Sequence, residues 1–189
     1  MAEKLIVLFD ACVLYSAPLR DLWMWLATTT SLFQPRWSAE IHREWMDNVM
    51  ANRPDLSAER LERTRMLMDT KVEDCLVTGY ERLIVGLTLP DPDDRHVLAA
   101  AIHAQATLIL TFNLRDFPDD VLAPYGIQAQ HPDEFLCILL ETDPESVCAT
   151  AEEHRQALKS PPKTREQYLD TLRKQGLVKT VKKMMDLCP

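Results

Sequence analysis

Short apolar runs bounded by polar residues predict the strands of this 189-residue chain. Residues 5–9 and 107–111 are continuous and rich in aliphatic side chains, a pattern typical of strands buried on both faces of a parallel sheet. Residues 126–129 form a candidate third strand. Between residues 80 and 89 the apolar positions fit a helix or a strand equally well, so that segment stays open.

Apolar positions that recur every three or four residues predict helices in much of the remaining chain. The predicted helices cover about residues 18–33, 39–51, 58–74, 91–105 and 132–140, with further helices starting near 143 and 164 and a short basic helix after Gly176. Ser38 and Ser57 are suited to cap two of them, and Thr164 with Gln167 matches a capping box. Strands alternating with helices predict an α/β fold with a parallel sheet.

Charge divides the chain unevenly, although the whole carries a net charge of −8. Residues 155–189 contain nine basic and three acidic side chains, while the preceding part is strongly acidic. We therefore predict one domain at residues 1–142 and a helical basic extension at residues 143–189. Such a tail could contact a polyanion, or its lysines could simply form a solvated helix face.

Several classes of protein are disfavoured by the sequence. No apolar run is long enough to cross a bilayer, and the opening residues are not typical of a signal peptide, which predicts a cytoplasmic protein. The five cysteines are widely spaced, so we expect neither a disulfide framework nor a zinc knuckle. The five histidines show none of the usual metal-binding spacings.

Acidic residues at the predicted carboxyl edge of the sheet are the candidate chemistry. Asp10 follows the first strand, where sites lie in parallel sheets, although it could merely orient a turn. Asp94 has apolar neighbours at helical spacings, which places it on the sheet-facing stripe, although a dipole-paired acid is the alternative. Asp116 and Asn113 follow the second strand and could instead form an Asx-type turn.

Glu44 is a fourth candidate because it flanks the apolar face of its predicted helix. Glu40 lies one turn earlier and could substitute for it, and either could be a surface acid near Arg43. Carboxylates gathered at one edge need a divalent cation to be stable together. Oxygen donors favour Mg²⁺ or Mn²⁺ over zinc, and such a site suits phosphoryl chemistry.

Four segments in the same order resemble the PIN-domain nucleases, and among them the VapC-type toxins of toxin–antitoxin pairs. The matching segments are residues 5–17, 38–44, 89–101 and 108–118. Order and spacing fit over about residues 4–140. The resemblance implies a PIN-like three-layer α/β/α fold with a central parallel sheet, followed here by a helical C-terminal extension.

The resemblance also implies an activity, a site and partners. It implies that Asp10, Glu44, Asp94 and Asp116 are catalytic and bind Mg²⁺ or Mn²⁺, with Asn113 as a close neighbour. Asp91, from its place in the same segment, and Ser16, which could partly replace the missing polar groups, are further supporting candidates. The implied reaction is hydrolysis of RNA phosphodiester bonds by a metal-activated water. The implied partners are an RNA substrate, a cognate antitoxin and a second copy of the chain.

One departure from the family pattern keeps an alternative open. After the first acid the family usually has Thr or Ser and then Asn, whereas this chain has Ala11 and Cys12. The alternative is a catalytically weakened PIN-fold module that binds RNA or a protein partner through its basic tail. The candidate RNA-binding residues are Arg173, Lys174, Lys179, Lys182 and Lys183.

Two further alternatives concern the tail and the reaction. The apolar tail residues Leu169, Leu172, Leu177, Val178, Val181 and Met185 could pack on the body or on an antitoxin helix. A haloacid-dehalogenase-like phosphatase would need Asp-x-Asp after the first strand, and Cys12 occupies the third position of that pattern.

Overall fold

A five-stranded parallel sheet forms the centre of the computed structural model, which describes residues 5–188. The strands are β1 (Leu5–Phe9), β2 (Phe33–Ser38), β3 (Leu76–Val77), β4 (Leu108–Leu110) and β5 (Gln128–Gln130). Their order across the sheet is β3-β2-β1-β4-β5, and every neighbouring pair is parallel. Residues 1–4 and 189, the outer ends of the two predicted domains, lie outside the described residues.

Helices connect and follow the strands. They are α1 (Ala11–Tyr15), α2 (Ala17–Thr29), α3 (Ala39–Asn52), α4 (Ala58–Lys71), α5 (Glu81–Ile84), α6 (Arg95–His103), α7 (Asp119–Leu122), α8 (Pro132–Thr142), α9 (Pro144–Ala157), α10 (Arg165–Lys174) and α11 (Val178–Leu187). Single 3-10 turns occupy Pro92–Asp94, Leu114–Asp116 and Ala123–Tyr125. Within the described part of the chain, no helix has both the length and the apolar character needed to cross a membrane.

Both faces of the sheet are covered, which confirms the predicted three-layer α/β/α fold. Val7, Leu8 and Phe9 are consecutive and fully buried. Because successive strand residues point to opposite faces, their common burial requires packing on each side of β1. On one side α6 packs against β1, β2 and β4.

The capping predictions are confirmed, whereas two strands were missed. Ser38 accepts a hydrogen bond from the backbone of Ile41, and Thr164 with Gln167 forms the full capping box.

The helix predicted to reach residue 33 ends at Thr29, and β2 follows it. Pro35 masked this strand, since proline cannot complete a ladder on both sides. It is tolerated because β3 pairs only with the last two residues of β2.

The C-terminal helices share a core with the sheet. Phe135 on α8 lies 5.4 Å from Phe33 and 5.9 Å from Trp23, measured between ring centroids. The buried carboxylate of Asp133, also on α8, accepts hydrogen bonds from the backbone N–H groups of Lys179 and Thr180. It therefore caps the start of α11 and ties that helix to the body. The boundary predicted after residue 142 stays a prediction.

A disulfide joins Cys148 on α9 to Cys188 at the end of α11. The expectation of no disulfide framework is therefore wrong for this pair. Their Cα atoms are 5.3 Å apart because α11 folds back onto α9. Forty residues separate the two cysteines in sequence, so no local spacing could have indicated the pairing. Cys12, Cys75 and Cys137 are free thiols.

Protonation of His154 is expected to destabilise the fold in acid. His154 is 3% exposed, and its Nδ1 lies 2.9 Å from the Tyr168 hydroxyl. Burial lowers its pKa to about 4, whereas an unfolded histidine titrates near 6.5. Between these values the unfolded chain binds the additional proton, so stability falls as the pH drops from about 6.5 to about 4.

Between about pH 6.5 and pH 4 we expect the free energy of unfolding to fall by about 2 kcal/mol. The fall should be smaller in His154→Gln, because glutamine cannot ionise. Urea unfolding of both proteins at pH 7 and pH 4.5 measures the difference. Equal pH dependence in the two proteins would show that His154 is not the responsible group.

Candidate active site

The candidate site lies where the strand order of the sheet diverges. From β1 the chain builds the sheet outward through β2 and β3, and it then returns to add β4 on the other side of β1. Asp10 directly follows β1 and Thr111 directly follows β4, and the backbone N–H of Asp10 donates to the carbonyl of Leu110. Ligands of open α/β sheets bind at this kind of switch point.

Two hydrogen-bond relays converge on one oxygen of Asp10. In the first, the N–H of Asn113 donates to Thr111 Oγ1 at 2.9 Å, and Thr111 donates to Asp10 Oδ2 at 2.7 Å. In the second, the N–H of Phe112 donates to Cys12 Sγ at 3.3 Å, and Cys12 donates to the same oxygen at 3.1 Å. Both relays fix the carboxylate in one orientation.

The surroundings of Asp10 disfavour its ionised form despite these hydrogen bonds. Asp10 is 5% exposed, and burial raises its pKa above the ordinary value. The bonds from Thr111 and Cys12 act in the opposite direction but are outweighed. A buried carboxylate of this kind is stabilised by a nearby cation.

Glu44 reaches the site from α3 and is paired across it with a histidine on α6. Its Oε1 lies 2.8 Å from Nε2 of His96, which is itself buried. Burial lowers the pKa of His96, but the hydrogen bond and charge of Glu44 outweigh it and the net shift is upward. The pair therefore favours an imidazolium against a carboxylate, and it cross-links the two helices.

Asp94 stands where the negative charges of the site accumulate. It is half-buried at the start of α6, and its pKa is raised to about 7. Burial is the largest cause, and the carboxylates of Asp10, Asp91, Asp116 and Glu44 add to it. Asp94 therefore experiences all the predicted acids at once, which is the effect expected of a site built to receive a cation.

The chemistry of these side chains fits a hard divalent cation, but their present positions do not form a ligand cluster. The acidic side chains offer carboxylate oxygens, the ligand atoms that Mg²⁺ and Mn²⁺ prefer. Among residues 5–188, however, no three His, Cys, Asp or Glu side chains are grouped closely enough to hold one ion. Glu44 faces His96, and Asp91 Oδ1 accepts from the backbone N–H of Asp93. Coordination would require these side chains to turn toward each other.

The structure brings most, but not all, of the predicted site residues to one cleft. Its volume is about 370 Å³, and its lining includes Asp10, Glu44, Asp94 and Asn113. Asp116 is outside the lining and acts on Asp94 through its charge. Two predicted supporting residues have other partners: Asp91 caps the 3-10 turn, and Ser16 donates to Gln175 Oε1 at 2.5 Å.

Sequence reasoning missed several residues of the cleft. Asp47 and Asn48 lie one turn after Glu44 on α3 and share its face, a spacing that could have identified them. The departure at Cys12 left a weakened site open as an alternative, and the structure shows that the thiol donates a hydrogen bond to Asp10. Glu40, the alternative to Glu44, pairs with Arg43.

The basic residues of the tail are largely neutralised by neighbouring acids. Arg173 and Lys174 pair with Asp170, Lys179 pairs with Glu134, and Lys183 pairs with Glu141. Lys182 is exposed. Of the apolar tail residues, Leu169, Leu172, Leu177 and Val181 are buried, while Val178 and Met185 are exposed. Most of the apolar face of the tail therefore packs within the protein.

Comparisons with known proteins find similarity in both parts of the chain. The PIN domain model matches residues 6–115, and the VapC50 C-terminal domain model matches residues 132–186. A protein of Mycobacterium tuberculosis (strain ATCC 25618 / H37Rv), named "Putative ribonuclease VapC50", is 43% identical over 97 residues. These residues are 51% of this chain and 57% of that protein, so the match spans little more than half of the relative's length. No solved structure matches.

Proposed function

Because the chain belongs to the PIN-domain family, we propose that it is a divalent-metal-dependent endoribonuclease and the toxin of a toxin–antitoxin pair. The observation that carries the proposal is the cleft at the switch point of the sheet that Asp10, Glu44 and Asp94 line together, where burial and the neighbouring carboxylates raise the pKa of Asp94. The name of the mycobacterial relative supports ribonuclease activity. A cytoplasmic location, a homodimer and a cognate antitoxin belong to the same proposal.

In the proposed site, Asp10, Glu44, Asp94 and Asp116 hold one or more Mg²⁺ or Mn²⁺ ions. Such an ion lowers the pKa of a bound water and neutralises charge that develops on the phosphate. Asp10 is the fixed ligand, because its two relays hold Oδ2 in place. Glu44 becomes available when it leaves His96, and the buried histidine, without the hydrogen bond and charge of Glu44, then favours its neutral form.

The supporting residues act around these ligands. Asn113 lines the cleft and could donate from its side-chain amide to an RNA phosphate. Asp91 sets the 3-10 turn that carries Asp94 toward the site. Exposed Lys182 is proposed to contact RNA phosphates directly, and the other basic tail residues only where substrate phosphates displace their acidic partners.

An RNA cleavage assay tests the proposed function. Purified protein free of antitoxin is incubated with total RNA in EDTA, and then with an excess of Mg²⁺ or Mn²⁺. We expect cleavage with the metal and none with the chelator. Salt-sensitive RNA binding without cleavage under any metal condition would contradict the nuclease and favour the weakened binding module.

Replacement of Cys12 tests whether its thiol substitutes for the polar residues of the family. Cys12→Ser keeps a donor to Asp10 and an acceptor for Phe112, and we expect near-normal Mn²⁺ affinity. Cys12→Ala removes the relay, and we expect affinity to fall by about 10- to 100-fold, the usual effect of losing an outer-shell partner. Isothermal titration with Mn²⁺ measures both. Equal affinities in the two variants would show that the relay does not support the metal site.

A further inference from the structure

The turn between α10 and α11 contacts the edge of the candidate active site at two places. Gln175 accepts the hydrogen bond from Ser16, which lies at the junction of α1 and α2. Gly176 lies against Phe112, since a Cβ built on it would be 3.4 Å from Cε1 of that ring. One short turn of the C-terminal helices therefore contacts the segments that follow both β1 and β4.

Phe112 connects this turn to Asp10. Its ring is held on a second side by His131, with 4.9 Å between centroids in an edge-to-face arrangement. Its backbone N–H begins the relay through Cys12, and the next N–H, from Asn113, begins the relay through Thr111. A displacement of the Phe112 ring would move the starting points of both relays.

The turn itself is rigidly anchored. Gly176 follows α10 and has a φ of +89°. The N–H of Gly176 donates to the carbonyl of Arg173, and the N–H of Leu177 donates to the carbonyl of Leu172, which closes the end of the helix. Leu172 and Leu177 are fully buried. On the far side of the turn, the Asp133 carboxylate fixes the start of α11. The turn can therefore act as a fixed support.

We propose that the Gln175–Gly176 turn is a positioning element of the active site, which holds Phe112 and the α1 end so that the two relays orient Asp10. The proposal rests on the proposed function for its consequence in catalysis. It assigns a role to the C-terminal helices beyond nucleic-acid contact: they complete the support of the first acid.

The test uses the full chain with Gln175→Met, which keeps the side-chain length but removes the acceptor. Thr150→Val is the matched control, because it removes a different hydrogen bond between the body and the C-terminal helices, the 2.8 Å contact of Thr29 with Thr150. Amide hydrogen exchange at Phe112 and Asn113 in the metal-free protein is the direct readout. Mn²⁺ affinity by titration is the second readout.

In Gln175→Met we expect exchange at both amides to accelerate by about tenfold and Mn²⁺ affinity to fall by about tenfold or more. Thr150→Val should change neither. Ser16→Ala should reproduce the effect, and the double variant should be no worse than either single variant, because the two residues form one contact. In RNA cleavage, kcat should fall while KM stays unchanged.

Unchanged exchange and affinity in Gln175→Met, or equal changes in Thr150→Val, would overturn the proposal. Neither amide exchange nor Mn²⁺ affinity requires RNA, so failure of the positioning proposal can be distinguished from failure of the nuclease proposal. If the wild type fails to cut RNA but exchange accelerates only in Gln175→Met and Ser16→Ala, the nuclease proposal fails and the positioning role stands. If the wild type does not bind Mn²⁺, amide exchange alone decides.

Discussion

Asp94→Asn is expected to lower metal-dependent RNA cleavage by at least about 100-fold, because loss of an outer-shell partner alone costs 10- to 100-fold and Asp94 is a proposed direct ligand. The same substitution should make the metal-free protein more stable at pH 8. Burial disfavours the ionised carboxylate of Asp94, and the charges of Asp10, Asp91, Asp116 and Glu44 repel it; asparagine removes both costs while keeping the shape of the side chain.

The direction of the stability effect follows from the pKa of Asp94. The folded protein holds its proton up to about pH 7, whereas an ordinary aspartate loses it near 3.8. Stability is therefore lost as the pH rises from about 4 to about 7, and the loss persists above that range. Because Asp94 is only half-buried, screening by solvent reduces the expected gain in Asp94→Asn to about 1 kcal/mol.

Asp93→Asn is the matched control for this prediction. Asp93 is the exposed neighbour of Asp94 in the same 3-10 turn, so its replacement removes the same charge outside the cleft. Cleavage is measured in single-turnover reactions with excess Mn²⁺, and stability by urea unfolding in EDTA at pH 5 and pH 8. Full activity in Asp94→Asn would exclude it as a ligand, and unchanged stability at pH 8 would contradict the crowding of charges.

Phe135→Ala is expected to destabilise the whole protein by about 3–5 kcal/mol, the usual cost of removing a buried aromatic ring. Phe135 is 1% exposed and packs against Trp23 and Phe33 although it belongs to α8. Since this ring joins the C-terminal helices to the sheet, we expect the variant to unfold in a single transition at lower urea concentration. Loss of the tail alone, as a separate early transition, would contradict a shared core.

Ile138→Ala provides the comparison on the same helix. Ile138 is 43% exposed, so its truncation should cost less than about 1 kcal/mol. Urea unfolding followed by tryptophan fluorescence and by circular dichroism shows whether both parts unfold together. Both substitutions introduce the better helix former alanine, so helix propensity cannot explain a loss of stability; similar destabilisation in Phe135→Ala and Ile138→Ala would show that the aromatic cluster is not the cause.

Local sequence signals predicted the elements whose structure depends on neighbouring residues. The run at residues 5–9 coincides with β1, and the caps at Ser38 and Thr164 are where the pattern placed them. Strands β2 and β3 were missed for physical reasons. Pro35 disguises the first, and the second has only two residues, so its pairing depends on the neighbouring strand and not on its own pattern.

In the candidate site, too, the sequence predicted features that depend on neighbouring residues and missed contacts between distant ones. Asp10 and Asp94 were identified because each follows or begins a recognisable element. No periodicity of the sequence predicts contacts between residues far apart in the chain. Examples are the contacts of Cys12 with Phe112, Glu44 with His96 and Ser16 with Gln175. The acids could therefore be predicted, whereas the side chains that orient them could not.

The contact between Ser16 and Gln175 joins residues that are separated by 159 positions in the chain. During synthesis on the ribosome, the strand that carries Asp10 emerges long before the turn that supports it. A nascent chain that stops short of Gln175 lacks that support. On the proposed role of the turn, the support of Asp10 is therefore completed only when almost the whole chain has been synthesised.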